Sequence, residues 1–246
     1  MHGDDLHDEQ GFRIRGRQPT RVDAFVDAAF AFAVTLLVVA VGHIPTSVQE
    51  LGQAMRGVPA FAASFLLIAR FWRSHRHWSR RYGLEDAKSV RLSLALVFVT
   101  LVYVYPLRMV AALVVAIASG GYFAEQSLDV GSVEDGRTLY VTFAVGYGVA
   151  SLIFALLHHH ALDCADAIGL SPAERIRTRT SIERYGAFVG IACLSILLAV
   201  LLPMTHADPR AYALPGLVYT LILLIRPGLA RRERRSLAQL EAQASP

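Results

Sequence analysis

The sequence predicts an all-α membrane protein with six transmembrane helices per chain. Three observations carry that reading. The chain of 246 residues is 54% hydrophobic and 18% charged, with a mean hydropathy of +0.42, which is too apolar for an ordinary soluble domain. Its apolar residues fall into six runs separated by polar connections. Its arginines concentrate in alternate connections. Helices follow because an open strand cannot satisfy its backbone polar groups in hydrocarbon.

In chain order the runs are Val22–Gly42, Val58–Trp72, Leu92–Ser119, Leu139–Leu157, Gly186–Leu202 and Ala211–Ile225. A crossing needs about 20 apolar residues, with about 17 as a lower limit, so the second and sixth runs are the short ones. Arg13, Arg15, Arg17 and Arg21 precede the first run. The second connection carries Arg70, Arg73, Arg76, Arg80, Arg81, Lys88 and Arg91; the fourth carries Arg175, Arg177, Arg179 and Arg184; the tail carries Arg226, Arg231, Arg232, Arg234 and Arg235. The intervening connections carry one arginine each, Arg56, Arg137 and Arg210. This is the positive-inside pattern of a six-span protein with both termini cytoplasmic. The organisation expected is an N-terminal cytoplasmic segment (1–21), a six-helix membrane domain (22–226) and a basic cytoplasmic tail (227–246), with no cleaved leader. The tail reads as a short charged helix, either solvated or in contact with lipid headgroups. Lys88 is the one lysine among 24 basic residues. With abundant Ala, Val and Gly, that suggests a GC-rich bacterial genome, so the expected location is a bacterial inner membrane. Cys164 lies in a polar connection and Cys193 within an apolar run, which argues against a disulfide framework.

Within the fourth run the stretch Val145-Gly146-Tyr147-Gly148 matches most of the TVGYG potassium filter. A filter is a re-entrant extended loop whose carbonyls face the ion. Here the tetrapeptide lies in the middle of a run that the charge alternation needs as a full span, and Ala144 replaces the threonine. Ala144, Gly148, Ser151 and Ala155 fall at i, i+4, i+7 and i+11, a stripe of small residues suited to close helix packing in lipid. The packing stripe is the favoured reading.

The first run carries a stronger signal. Thr20 and Asp23 have capping-box spacing, whereas Asp27 lies two turns into an apolar helix. An acid at that depth must face protein or water and is a candidate functional residue. It is either a packing clamp or a group that meets an ion. Phe32, Leu36 and Val39 share a helix face, with Thr35 beside them.

The stretch RVDAFVDAAFAFAVTLL resembles the first helix of the prokaryotic transmembrane protein 175 family, through Arg21, Phe25, Asp27, Ala31, Thr35, Leu36 and Leu37. The second run is similar to that family's second helix through Ser64, Phe65, Trp72 and His75, and Asp86 and Pro106 stand where the family has an aspartate and a mid-helix proline. The motifs cover about residues 20–107. The resemblance implies a homotetrameric, six-helix, potassium-selective cation channel whose first helices surround a central pore. The constriction it implies is built from rings of Phe32, Leu36 and Val39, with Thr35 supplying hydroxyls, and gates by dewetting. Arg21, Phe25, Asp27, Trp72 and His75 would clamp the pore helix without touching the ion. Two departures bear on this: Val26 replaces the signature serine, and Phe32 is larger than the usual aliphatic residue. Leu107, where the family tends to have Phe after the proline, is a milder change.

The permeant species expected is a monovalent cation, K+, in a lipid bilayer, with no cofactor, no catalytic residue and no bound metal. His158, His159 and His160, followed by Asp163, Cys164 and Asp166, pose the alternative of a metal-handling protein or membrane enzyme. Contiguous histidines diverge on a helix, and only His159 with Asp163, or His160 with Cys164, share a face, so interfacial polar residues are the favoured reading. A further alternative is a non-conducting relative, or one that passes protons through Asp27. Arg108, deep in the third run, would snorkel or pair with an acid. The net charge of +4 is accounted for by the inner-face arginines, and nucleic acid need not be invoked.

Overall fold

The computed structural model describes residues 7–39, 45–124, 132–202 and 215–244. Among these the helices are α1 (Arg21–Val39), α2 (Val48–Arg56), α3 (Val58–Tyr82), α4 (Ala87–Ala118), α5 (Val133–Asp163), α6 (Pro172–Leu201) and α7 (Leu221–Ala244), the last entered through a 3₁₀ turn at Val218–Thr220. The expected end of the first run at 40–42 and the expected start of the sixth at 211–214, with Arg210, lie outside the described residues.

Local chemistry sets most helix starts. Thr20 and Asp23 exchange the two bonds of a capping box at α1, at 3.0 and 2.9 Å. Ser132 with Asp135 and Ser171 with Glu174 do the same for α5 and α6, satisfying amide hydrogens that have no partner inside the helix. Asp86 caps α4 by accepting from Lys88 N–H and Ser89 N–H. Gly83 ends α3 with φ +59°, and a Cβ there would lie 3.1 Å from the Arg15 carbonyl carbon. Both the left-handed turn and the close approach of a second segment select glycine.

The helices outrun the apolar runs. α3 continues ten residues beyond Trp72 to Tyr82, and α6 begins at Pro172 rather than at Gly186. The arginines assigned to the second and fourth connections therefore stand largely on helices, with Arg70–Arg81 on α3 and Arg175–Arg184 on α6. The physical reason is that loss of hydrophobicity does not end a helix: Arg, Glu and Ala are good helix formers in water. α2 occupies the first expected connection, is amphipathic, and has no buried residue. α1, α4, α5 and α6 are each long and apolar enough to cross a membrane, and α2 with α3, bent by 44°, makes a fifth such unit. The chain is thus an all-helical protein with four or five candidate spans among its described residues. The tail forms the second half of α7 and docks on α6, where Arg232 meets Glu183 at 3.3 Å and Glu233 meets Arg177 at 4.0 Å.

α5 and α6 share the most extensive interface, and α4 packs against α1, α3 and α5. The VGYG tetrapeptide lies within unbroken α5. Its backbone carries helical hydrogen bonds and forms no re-entrant loop, which removes the filter reading. Ala144 and Ser151 are buried, and Gly148 faces Ala192 of α6. Gly146 is a notch for the Tyr103 ring of α4: a Cβ there would fall against that ring. Polar ties stitch one end of the bundle. Trp78 donates to the Leu157 carbonyl at 3.0 Å, and the Tyr82 and Thr178 hydroxyls are 2.9 Å apart. Arg108 is buried rather than snorkelling to an interface.

Gly146→Ala is expected to destabilise the fold by about 1–3 kcal/mol, the usual penalty for overpacking. Gly186→Ala, with open space around its Cβ position, is expected to be neutral or stabilising. Thermal unfolding of the two variants in the same detergent compares them.

Candidate pore helix and its anchoring cluster

α1 meets the bundle through a narrow stripe. Val26, Phe30, Ala33 and Leu37, at i, i+4, i+7 and i+11, are buried. Val26 is fully enclosed among them. The position that carries serine in the family signature is here a packing residue, which explains why an apolar side chain is accommodated. The opposite face is open: Phe25, Phe32, Thr35 and Val39 are exposed, while Leu36 is half-buried against the core. Only 22% of the apolar window of α1 is buried, against 50% for α5. Thr35 Oγ1 donates to the Ala31 carbonyl at 3.2 Å. Its proton is thereby turned along the helix and its lone pairs face outward.

At the foot of α1, Trp72 Nε1–H donates to Asp27 Oδ1 at 2.7 Å, a charge-assisted bond between α1 and α3. The guanidinium of Arg76 stands over the Trp72 ring, 5.4 Å from its centroid. Two members of the expected clamp, Asp27 and Trp72, are therefore brought together. His75 turns elsewhere: it is buried, and its Nε2 is 2.9 Å from Ser93 Oγ on α4. Arg21 and Phe25 are exposed and join neither contact within one chain. His75, Asp23 and Asp27 line a crevice of about 290 Å³ together with residues 16–19, Arg76, Ser79 and Arg80.

The histidine triplet diverges. His158 is buried and donates through Nδ1–H to the Phe154 carbonyl at 2.8 Å. His159 meets Asp163 on the exposed side at 3.2 Å, and His160 meets Asp86 at 2.8 Å. Asp86 thus links the start of α4 to the end of α5. Burial alone would raise its carboxyl pKa, but hydrogen bonds from His160, Ser89 and two amides hold it well below the usual carboxylate range. Among the described residues no three His, Cys, Asp or Glu side chains converge as a metal site requires. Cys164 and Cys193 are both free.

Sequence reasoning missed Ser93 and a contact network formed by residues 8–16 with α3 and α6. Its signals were slight: Phe12, a lone aromatic in a polar stretch, and Glu174, whose capping-box spacing explains only part of its role.

Comparison with known proteins bears on the family and the fold. The sequence profile described as Endosomal/lysosomal potassium channel TMEM175 matches residues 21–106, the stretch from α1 to the middle of α4. A protein of Marivirga tractuosa named "Potassium channel" is 31% identical over 236 residues, covering 93% of this chain and 94% of its own. This chain belongs to the TMEM175 family. The crystal structure of the potassium channel MtTMEM175 in complex with a nanobody–MBP fusion superposes with a TM-score of 0.79 at 30% identity, covering 94% of this chain and all of that one. The lysosomal potassium-selective channel TMEM175 homolog from Chamaesiphon minutus is more distant, with a TM-score of 0.53 at 18% identity over 87% and 96% of the two chains, and shares the fold. These relatives are channels, not enzymes.

Trp72→Phe removes the donor to Asp27 and is expected to lower stability by about 1 kcal/mol, since water can replace part of the lost bond at this exposed site. Thermal unfolding checks this, with Asp27→Asn expected to shift in the same direction.

Proposed function

We propose that this protein is a potassium-selective cation channel of a bacterial inner membrane, in which four copies place α1 around a central axis. The six-span arrangement would put both termini in the cytoplasm, with 22–226 as the channel domain, 1–21 ahead of it and 227–246 as the basic tail. Phe32, Leu36 and Val39 then form successive apolar rings, with Thr35 hydroxyls between them. The permeant ion is K+, and no cofactor takes part.

The observation that carries the reading is the open face of α1. A helix this apolar could turn any face to lipid, but the open face of α1 carries Thr35 beside Phe32 and Val39 and is left uncovered by the chain's own bundle. The Thr35 lone pairs face outward from that side. Copies of the same helix around a water-filled axis satisfy those lone pairs. A neck lined by phenylalanine, leucine and valine sets a dewetting barrier. Potassium sheds its hydration shell more readily than sodium, so a neck that enforces partial dehydration favours potassium. In this arrangement Asp27 acts through Trp72 to hold the pore helix and does not meet the ion.

Potassium and sodium flux into proteoliposomes tests the reading, with Phe32→Ala measured alongside. The expected result is potassium-favouring flux in the wild type and higher conductance or weaker selectivity in Phe32→Ala. Unchanged flux in the variant would remove Phe32 from the constriction. Proton flux without potassium flux, abolished by Asp27→Asn in folded protein, would favour a proton path through that residue.

A further inference from the structure

The segment ahead of α1 is built into the protein. Arg15 extends its guanidinium across the ends of α3 and α6. Nη1 and Nη2 each donate to one oxygen of Glu174 at 2.9 Å. Nε donates to the Ile168 carbonyl at 2.8 Å, and further bonds reach the carbonyls of Gly169 and Arg81. Glu174 is almost fully enclosed. Its carboxylate accepts from Arg13 N–H and Ser171 N–H as well as from Arg15. The same carboxylate that caps α6 therefore holds the N-terminal segment. A bidentate pair with every oxygen satisfied is the geometry in which a buried ion pair holds firmly.

Further contacts fix the segment. Arg15 N–H and Gly16 N–H both donate to the Arg80 carbonyl at 3.0 Å. Arg81 reaches Asp8 and Gln10 at 2.7 Å each and stands 4.4 Å over the Phe12 ring. Phe12 is itself buried, edge-on to Tyr82. Burial alone would raise the pKa of Glu174, but the Arg15 fork and the two amides lower it to about 2. Its contribution to stability is thus complete above the ordinary glutamate value and is lost only as the pH falls toward 2.

We propose that residues 8–16 form a clasp that sets the position of the pore helix, with Arg15 and Glu174 as its positioning residues. The proposal rests on the reading that α1 lines the pore. The chain from the clasp to α1 is short. Gly16 is bonded to α3, and Thr20 already caps α1. Four residues reach at most about 14 Å when fully extended, so the foot of α1 cannot move far while the clasp holds. The crevice beside Asp27 lies between this link and α3, so the foot has space to swing once the clasp opens. Beyond the clasp, the foot of α1 is held by Val22 and Val26 packing on the bundle and by the bond from Trp72 to Asp27. Closing the clasp fixes α1 to α3 and α6; opening it lets the four pore helices take more than one position.

The test is single-channel recording of the full chain in planar bilayers. Wild type is compared with Arg15→Gln and Gly16→Ala, and hydrogen exchange of residues 18–27 is measured on the same preparations. A Cβ at position 16 would lie 2.7 Å from the Ser79 carbonyl oxygen, so Gly16→Ala lifts the segment while keeping every charge. Arg15→Lys keeps the charge but loses the fork, and serves if Arg15→Gln does not assemble. The expected result is an unchanged unitary potassium conductance, an open probability lowered roughly tenfold as a charge-assisted contact is lost, and faster exchange at 20–27. Faster exchange confined to residues 7–17, with wild-type open probability, would overturn the proposal. Wild-type protein that carries no potassium current would instead defeat the pore reading. The tether is then read from exchange in α1 alone, where wild-type rates in Arg15→Gln overturn it.

Discussion

How little of α1 is covered by its own bundle constrains everything around it. A helix that buries Val26, Phe30, Ala33 and Leu37, with Val22, Ala29, Val34 and Leu36 half-buried beside them, is covered by its bundle less than α5 is. Its remaining faces must be satisfied by lipid, by water or by another copy of the chain. Asp27, on the flank toward α3, is met by Trp72, while the open face carries Phe32, Thr35 and Val39. In the proposed arrangement an axis of like helices covers that face. The same exposure makes the ties at the foot of α1 important, because few other contacts fix its tilt.

Those ties are concentrated at the arginine-rich end. α3 and α6 run on past their apolar stretches as arginine-bearing helices, and their extensions make a platform that a loop could not. Trp72 on this platform holds Asp27. The Arg80 carbonyl and the Glu174 carboxylate hold the segment ahead of α1. Tyr82 and Thr178 join the two extensions directly. One end of the bundle is therefore rich in directional bonds, whereas the membrane interior relies on apolar and aromatic packing such as Tyr103 against the Gly146 notch. Hydrogen bonds set position sharply where water would otherwise compete, and small residues set distance where it does not.

Much of this was legible in the sequence. Hydropathy located α1 and α3 to α6, because burial in lipid demands continuous apolar runs. The capping pair Thr20 and Asp23 was readable because capping is local chemistry. The family was readable from α1 and α3 because their polar residues interrupt apolar runs at fixed spacings. Helix ends were not, since the hydropathy of Arg73–Tyr82 falls while no glycine or proline breaks the helix before Gly83. The partner of His75 was not readable either: Ser93 is 18 residues away on another helix, and pairing at that distance is decided by packing. The dual role of Glu174 was hidden for the same reason. A capping glutamate explains its own spacing so well that nothing local points to Arg15, 159 residues earlier.

The central claim is that α1 faces a conducting axis. The most direct measurement is thiol block of potassium current through Thr35→Cys, in a background where Cys164 and Cys193 are replaced by serine. Leu197→Cys on the exposed side of α6 serves as the comparison. Rapid loss of current on adding a small water-soluble thiol reagent to Thr35→Cys, with Leu197→Cys unaffected, is the expected result. Current that survives complete modification of Thr35→Cys, or that is blocked only through Leu197→Cys, would contradict it.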